Sequence, residues 1–133
     1  MQIEKIDRIL VAVRDLGIAS KFFSDLLGLK FDEINVDEQE KVQYVRSALG
    51  LELIQSTSPD GPVARFIEKR GEGLYAFTLK VDDIEVAMEE MQKKGLIAAV
   101  TKNPKGKEYS RRMRWHLTEK TYSAYKKLGQ TGL

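Results

Sequence analysis

The side chains that most often do chemistry are scarce in this chain. Its 133 residues include no cysteine and a single histidine, His116. The first absence excludes disulfides, thiolate metal sites and a cysteine nucleophile. The two together remove most transition-metal designs, which draw on imidazole and thiolate ligands. A Ser-His-Asp triad survives only if His116 is its base, and a surface or packing role is the plainer reading of a lone histidine. What remains is charge in unusual places. In Ile6-Asp7-Arg8-Ile9-Leu10-Val11-Ala12-Val13, strand alternation sets Arg8 in a row with Ile6, Leu10 and Ala12, where an unmatched charge is costly. Lys69-Arg70 beside Gly71 could meet a phosphate, although a solvated helix end accounts for it more simply.

The length suits one domain, residues 1–133, and the composition, 42% hydrophobic and 32% charged, is that of an ordinary globular protein. No apolar run approaches a bilayer span, so no membrane association is expected. The start, MQIEKIDRILV, has an acidic residue before a short apolar run and no small-residue cleavage pattern. No signal peptide is expected, and a cytoplasmic location follows as the default. Charge is uneven: residues 1–104 carry 14 basic and 18 acidic side chains, net −4, whereas residues 105–133 carry 8 and 2, net +6.

Periodicity predicts the elements that must hold these side chains. IDRILVAV is a strand, and Asp15 caps a helix through LGIASKFFSDLL that Gly28 stops. Leu29–Ile34, Lys41–Ser47 and Leu51–Gln55 read as short strands, with polar breaks at Asn35–Glu40 and at Leu49-Gly50. Pro62 opens a linker helix, about residues 61–71, that Gly71 ends. Leu74–Val81 is a strand, Asp82-Asp83 precedes a helix through IEVAMEEMQKKG, and Leu96–Val100 is the next strand. At an offset of 68 residues Val13 matches Val81, Asp15 matches Asp83, Leu16 matches Ile84 and Ala19 matches Ala87. The shared order and lengths favour an internal repeat, with module one at about 4–57 and module two at about 73–104.

Two such halves, DRILVAVRDLGIASKFFSDLLGL and LYAFTLKVDDIEVAMEEMQKKGL, with LELIQSTSPDGPVARFIEKRGEGL between them, resemble the vicinal oxygen chelate superfamily of glyoxalases, extradiol dioxygenases and bleomycin-resistance proteins. The central segment looks closest to the methylmalonyl-CoA epimerase branch. The resemblance implies an α+β fold in which two βαβββ modules form a curled mixed sheet with a cleft, usually within a homodimer. It also implies a divalent metal (Co, Ni, Zn or Mg) that chelates two substrate oxygens and stabilises an enolate while carboxylates move a proton.

Carried over position by position, the resemblance keeps one metal ligand of four. Arg8 stands where the first histidine is expected, Ala76 where the second is, and Tyr75 replaces its neighbour. Glu52 matches the carboxylate ligand; the terminal strand carrying the last ligand has no counterpart. The position of the epimerase's second carboxylate falls on Gln43, which cannot act as a base near neutral pH. No stable metal or other cofactor is therefore expected. The catalytic candidates are Glu52 and Arg8, and the cleft candidates are Gln43, Tyr44, Tyr75, Ala76 and Thr78. Arg8 either pairs with Glu52, receives a substrate carboxylate, or reaches solvent along its alkyl stem.

The tail, about residues 105–133, is atypical: it lacks the family's closing strand-turn-strand, and Thr118–Leu128 could form a short helix. Its composition changes where the family pattern is lost, which suggests a replaced or frame-shifted end. Three functions compete. One is an epimerase-like isomerase or glyoxalase I-like lyase, metal-deficient and weak or inactive. Another is a metal-free binding protein of the bleomycin-resistance type, holding a small molecule such as a CoA thioester or carboxylate. The third, nucleic-acid binding through RRMRW, is the least favoured.

Overall fold

The computed structural model describes residues 2–94, 98–100 and 112–116, the last two segments as backbone strands. The chain divides into two compact units, residues 8–75 and residues 1–7 with 76–133. Strand β1 (Ile3–Ala12) contributes to both.

In the first unit β1 leads to helix α1 (Leu16–Leu27), then to β2 (Asn35–Asp37), β3 (Val42–Arg46), β4 (Leu51–Ser56) and helix α2 (Pro62–Arg70). The strands lie in the order β2-β3-β4-β1. The pair β3–β4 is antiparallel, and β1 runs parallel to β4 with Leu10 opposite Glu52. Parallel and antiparallel pairs in one sheet, with helices packed on it, make the fold α+β. The Asp15 side chain accepts the Ile18 N–H at 2.9 Å, and Gly28 closes α1 in the left-handed conformation at φ 68°. The apolar face of α1 meets the sheet through Leu16, which packs with Val13, Val45 and Leu53.

One strand differs from the sequence expectation. Leu29–Ile34 is not a strand beyond a single bridge from Phe31 to Ser47, and β2 lies within the expected polar break. Side-chain hydrogen bonding explains the shift. Asp32 and Arg46 exchange two bonds, Asp32 N–H to the Arg46 carbonyl at 2.9 Å and Arg46 N–H to the Asp32 carboxylate at 2.7 Å. The turn itself falls later, where Asp37 accepts the Glu40 N–H and Lys41 takes φ 57°.

In the second unit β5 (Gly73–Val81) precedes α3 (Ile84–Lys93), and the strand order is β1-β5-β7-β6, with β6 at Ala98–Val100 and β7 at Arg112–His116. Asp83 caps α3 by accepting the Glu85 and Val86 N–H groups. Leu79, Val81, Ala87 and Met91 form the core between β5 and α3. Strand β7 departs from the expectation of a basic tail: in RMRWH the alternation of apolar and charged residues is also the pattern of a strand. It pairs antiparallel with both β5 and β6. The helix expected at Thr118–Leu128 lies outside the described residues.

The Asp15 cap gives a direct test of α1. Asp15→Ala should lower the unfolding free energy by about 1 kcal/mol in urea melts, with an unchanged slope. An unchanged midpoint would mean that the cap contributes nothing.

Candidate functional site

The tight turn between β3 and β4 sets the geometry of the site. Ser47 N–H donates to the Leu51 carbonyl at 2.9 Å, Gly50 N–H returns to the Ser47 carbonyl at 3.1 Å, and Gly50 adopts φ 91°. The next pair outward is Arg46 opposite Glu52. Gly50 also ties this turn to β1, its carbonyl accepting the Ile9 N–H at 2.8 Å. Because side chains alternate along a strand, Arg8 and Leu10 of β1, Glu52 and Ile54 of β4, and Tyr44 and Arg46 of β3 share the face opposite α1.

On that face two guanidinium groups converge on one carboxylate oxygen. Arg46 Nε donates to Glu52 Oε1 at 2.7 Å, and Arg8 Nη1 lies 3.6 Å from the same atom. The first is a short charge-assisted hydrogen bond, the second an ion-pair separation. The side chains of Glu52, Arg8 and Arg46 are only 6%, 11% and 16% exposed, so screening by water and salt is slight. Breaking such a buried pair from one side costs on the order of 3–5 kcal/mol. The Arg46 guanidinium also stacks over Tyr44, 4.7 Å from the ring centroid.

Burial raises the Tyr44 phenol above its ordinary range, and the Glu52 and Asp37 carboxylates add to the rise while Arg46 and Arg8 oppose it. The hydroxyl therefore stays a proton-bearing donor at neutral pH.

The other sequence candidates fall elsewhere. Gln43 lies on the opposite face from Tyr44, registered with Gln55, whose side chain accepts the Leu16 N–H at 2.7 Å. Gln43 therefore does not join the Glu52 row. Tyr75 is buried, its ring edge-on to Phe66 at 5.1 Å, which is a packing role. Ala76 and Thr78 belong to the second unit, both buried on β5, with Ala76 registered opposite His116 and Thr78 opposite Arg114. Lys69 and Arg70 end α2 in its exposed last turn, where their charge suits the helix dipole. Arg46 is the residue that sequence reasoning misses. Its signal is the Ser-Ala-Leu-Gly turn between KVQYVR and LELIQ, which fixes the hairpin register and so faces Arg46 with Glu52.

Among the described residues no cluster of three or more His, Cys, Asp or Glu side chains could hold a metal ion. No described helix is long and apolar enough to cross a membrane.

The charges around Tyr44 give a pH test. Its phenol should titrate above the ordinary value of 10.0, and Arg46→Met, which removes the largest opposing charge, should raise it further. Since the folded state favours the neutral phenol, this contribution to stability is intact below the unfolded value and is lost as pH rises through the folded one. NMR of ring-labelled tyrosine would read both effects, and a downward shift in Arg46→Met would refute the assignment.

Comparison with known proteins adds the family. Residues 7–113 match the model of the glyoxalase/bleomycin resistance protein/dioxygenase superfamily. The mitochondrial methylmalonyl-CoA epimerase of Mus musculus is 31% identical over 94 residues, 68% of this chain and 53% of that protein. An uncharacterized protein of Bacillus subtilis, YqjC, is 35% identical over 74 residues, 53% of each chain. The chain thus spans about half the length of these curated relatives. Among solved structures, the methylmalonyl-CoA epimerase of Mycobacterium tuberculosis superposes with a TM-score of 0.72 at 18% identity, covering 92% of this chain and 83% of that one. A Streptomyces coelicolor methylmalonyl-CoA epimerase in complex with 2-nitronate-propionyl-CoA gives a TM-score of 0.67 at 22% identity, covering 79% and 81%. Those two likenesses establish the fold, and the family match over most of the chain makes this protein a member of the glyoxalase/bleomycin resistance/dioxygenase superfamily, with methylmalonyl-CoA epimerases among its homologues.

Proposed function

We propose that this chain is an epimerase-like member of the superfamily that works without a metal. It binds a small molecule, a CoA thioester or a free carboxylate, with weak or absent epimerase activity. One observation carries the reading: Glu52, the sole matching ligand position, is engaged by two guanidinium groups. A dication beside Glu52 would stand next to two fixed positive charges and would displace a short hydrogen bond. A single carboxylate does not repay that, since metal sites rely on several protein ligands. The residues present therefore do not fit the family's metal. Glu52 Oε1 already receives the Arg46 N–H, so that oxygen is committed to the ion pair. The S. coelicolor neighbour supports CoA-thioester recognition, because the molecule in its complex, 2-nitronate-propionyl-CoA, is a CoA derivative.

Calorimetric titration with cobalt or nickel, paired with a racemisation assay on methylmalonyl-CoA, tests the reading. The expected outcome is no metal binding tighter than micromolar and negligible turnover with or without metal. Tight binding together with turnover would overturn it.

For the homodimer implied by the resemblance, we assign helix α1 as the contact. Ile18, Phe22 and Leu26 recur every fourth residue and are 71%, 57% and 63% exposed, an apolar ridge that monomers seldom leave open. Its only charges, Lys21 and Asp25, are opposite in sign. An antiparallel two-fold pairing about Phe22 brings Ile18 to Leu26 of the second copy, so the apolar ridge is complementary to itself. The absence of net charge on α1 disfavours an anionic lipid surface instead. Sedimentation velocity should find a concentration-dependent dimer that Phe22→Glu converts to monomer; a wild-type monomer, or a Phe22→Glu dimer, would exclude this face.

A further inference from the structure

We propose that the crevice between α2 and the ends of β1 and β4 is a second binding site, and that it takes a small aliphatic α-amino acid as its zwitterion. The inference goes beyond the reading above and is independent of it, since Arg8, Tyr44, Arg46 and Glu52 do not line this hollow.

Chain direction makes the crevice. Strands β1 and β4 run parallel as far as Ala12 opposite Ile54, and the Val13 N–H still reaches the Ile54 carbonyl at 2.9 Å. Beyond that bond the two chains separate, one to the Asp15 cap of α1 and the other to the turn before α2. The gap left at the carboxyl ends of neighbouring parallel strands is a recurrent place for ligands. Here it spans about 320 Å³, close to the lower limit of about 300 Å³ for small-molecule pockets. That size suits a small metabolite and not a whole CoA derivative. Ala64, Ile67 and Glu68 line one side, at the i, i+3, i+4 spacing of a single helix face, and the short side chain of Ala64 keeps the space open.

The lining names the ligand. Val13, Ala64 and Ile67 are apolar, while Arg14 and Glu68 bring opposite charges to the same hollow. Among the described residues neither charged side chain has an ion-pair partner, so the two do not neutralise each other. An anion alone would face Glu68 and a cation alone would face Arg14, whereas a molecule carrying both charges satisfies each. The rim is already anchored. Glu72 Oε1 accepts the Arg14 backbone N–H at 2.7 Å, which holds the chain that carries the guanidinium. Gln55 Oε1 is committed to the Leu16 N–H at 2.7 Å, so the amide NH2 is the end left to donate. Ser56 also lines the hollow, but its hydroxyl already donates to the Ser58 carbonyl. A carboxylate thus meets the Arg14 fork and the Gln55 NH2, an ammonium meets Glu68, and an aliphatic side chain lies against Val13, Ala64 and Ile67.

Titration of the isotope-labelled full chain with L-leucine, followed by amide NMR, tests the site. Saturable shifts are expected at Val13, Arg14 and Gln55 and along the Ala64 to Glu68 face of α2. Isocaproate, which lacks the ammonium, and isoamylamine, which lacks the carboxylate, should each bind at least about fivefold more weakly. Glu68→Gln should erase the preference for L-leucine over isocaproate, and Arg14→Met the preference over isoamylamine. Both positions are exposed, so these variants keep the core intact. Ala64→Phe, which fills the hollow, should abolish binding, with circular dichroism establishing that it is folded. No saturation by about 10 mM L-leucine, equal binding of the three probes, preferences that survive Glu68→Gln and Arg14→Met, or a folded Ala64→Phe that still binds would each overturn the proposal. Shifts confined to Arg8, Tyr44, Arg46 and Glu52 would overturn it as well, while leaving the metal-free binding reading in place.

Discussion

A carboxylate inside a β-sheet persists only when its charge is matched within a few ångströms, and Glu52 is matched twice. The 2.7 Å bond from Arg46 and the 3.6 Å approach of Arg8 tie three strands together on one face. Glu52 is registered with Leu10 on one side and Arg46 on the other, so a one-residue slip of either strand would turn a buried charge toward α1 and strand its partners. The ion cluster and the strand register therefore specify each other. The helix-side core does the complementary work: Val13, Leu16, Val45 and Leu53 bury the apolar halves of the same strands.

That dependence supports the proposed separation of family membership from family chemistry. The superfamily fold needs apolar alternation, capped helices and short turns, and this chain has them. The chemistry needs particular side chains at a few strand positions, and substitution there leaves the fold intact if charge remains balanced. An arginine at position 8 that reaches within 3.6 Å of Glu52 is balanced; an arginine beside a metal would not be. Arg46 adds a second guanidinium from the neighbouring strand, 2.7 Å from Glu52 Oε1.

Much of this was legible in the sequence, for identifiable reasons. The helices announced themselves through Asp15, Gly28, Pro62 and Asp83, because caps and stops are local hydrogen-bonding and backbone effects. The link between Arg8 and Glu52 was accessible through the resemblance. Placing β2 too early had a physical cause: Asp37 read as a break residue within Asn35–Glu40, yet it ends β2 and its side chain accepts the Glu40 N–H that closes the turn. Strand β7 was hidden because charges alternating with apolar residues look like a basic run when counted rather than paired. Gln43 cannot share a cleft wall with Tyr44, because neighbours on a strand face opposite ways, and the period of two alone could have shown it.

By itself the sequence determined the helices, most of the strands, the kinship and the improbable charge at Arg8, since each follows from local propensity or from pattern along the chain. Tertiary structure alone decided that Arg46 shares Glu52 with Arg8, that Tyr44 stacks on Arg46, and that Tyr75 meets Phe66 edge-on. Those outcomes depend on which strands pair and in which register, a balance of long-range contacts that no short window of residues contains. A charge in an apolar strand becomes intelligible only when the strand beside it supplies the opposite charge.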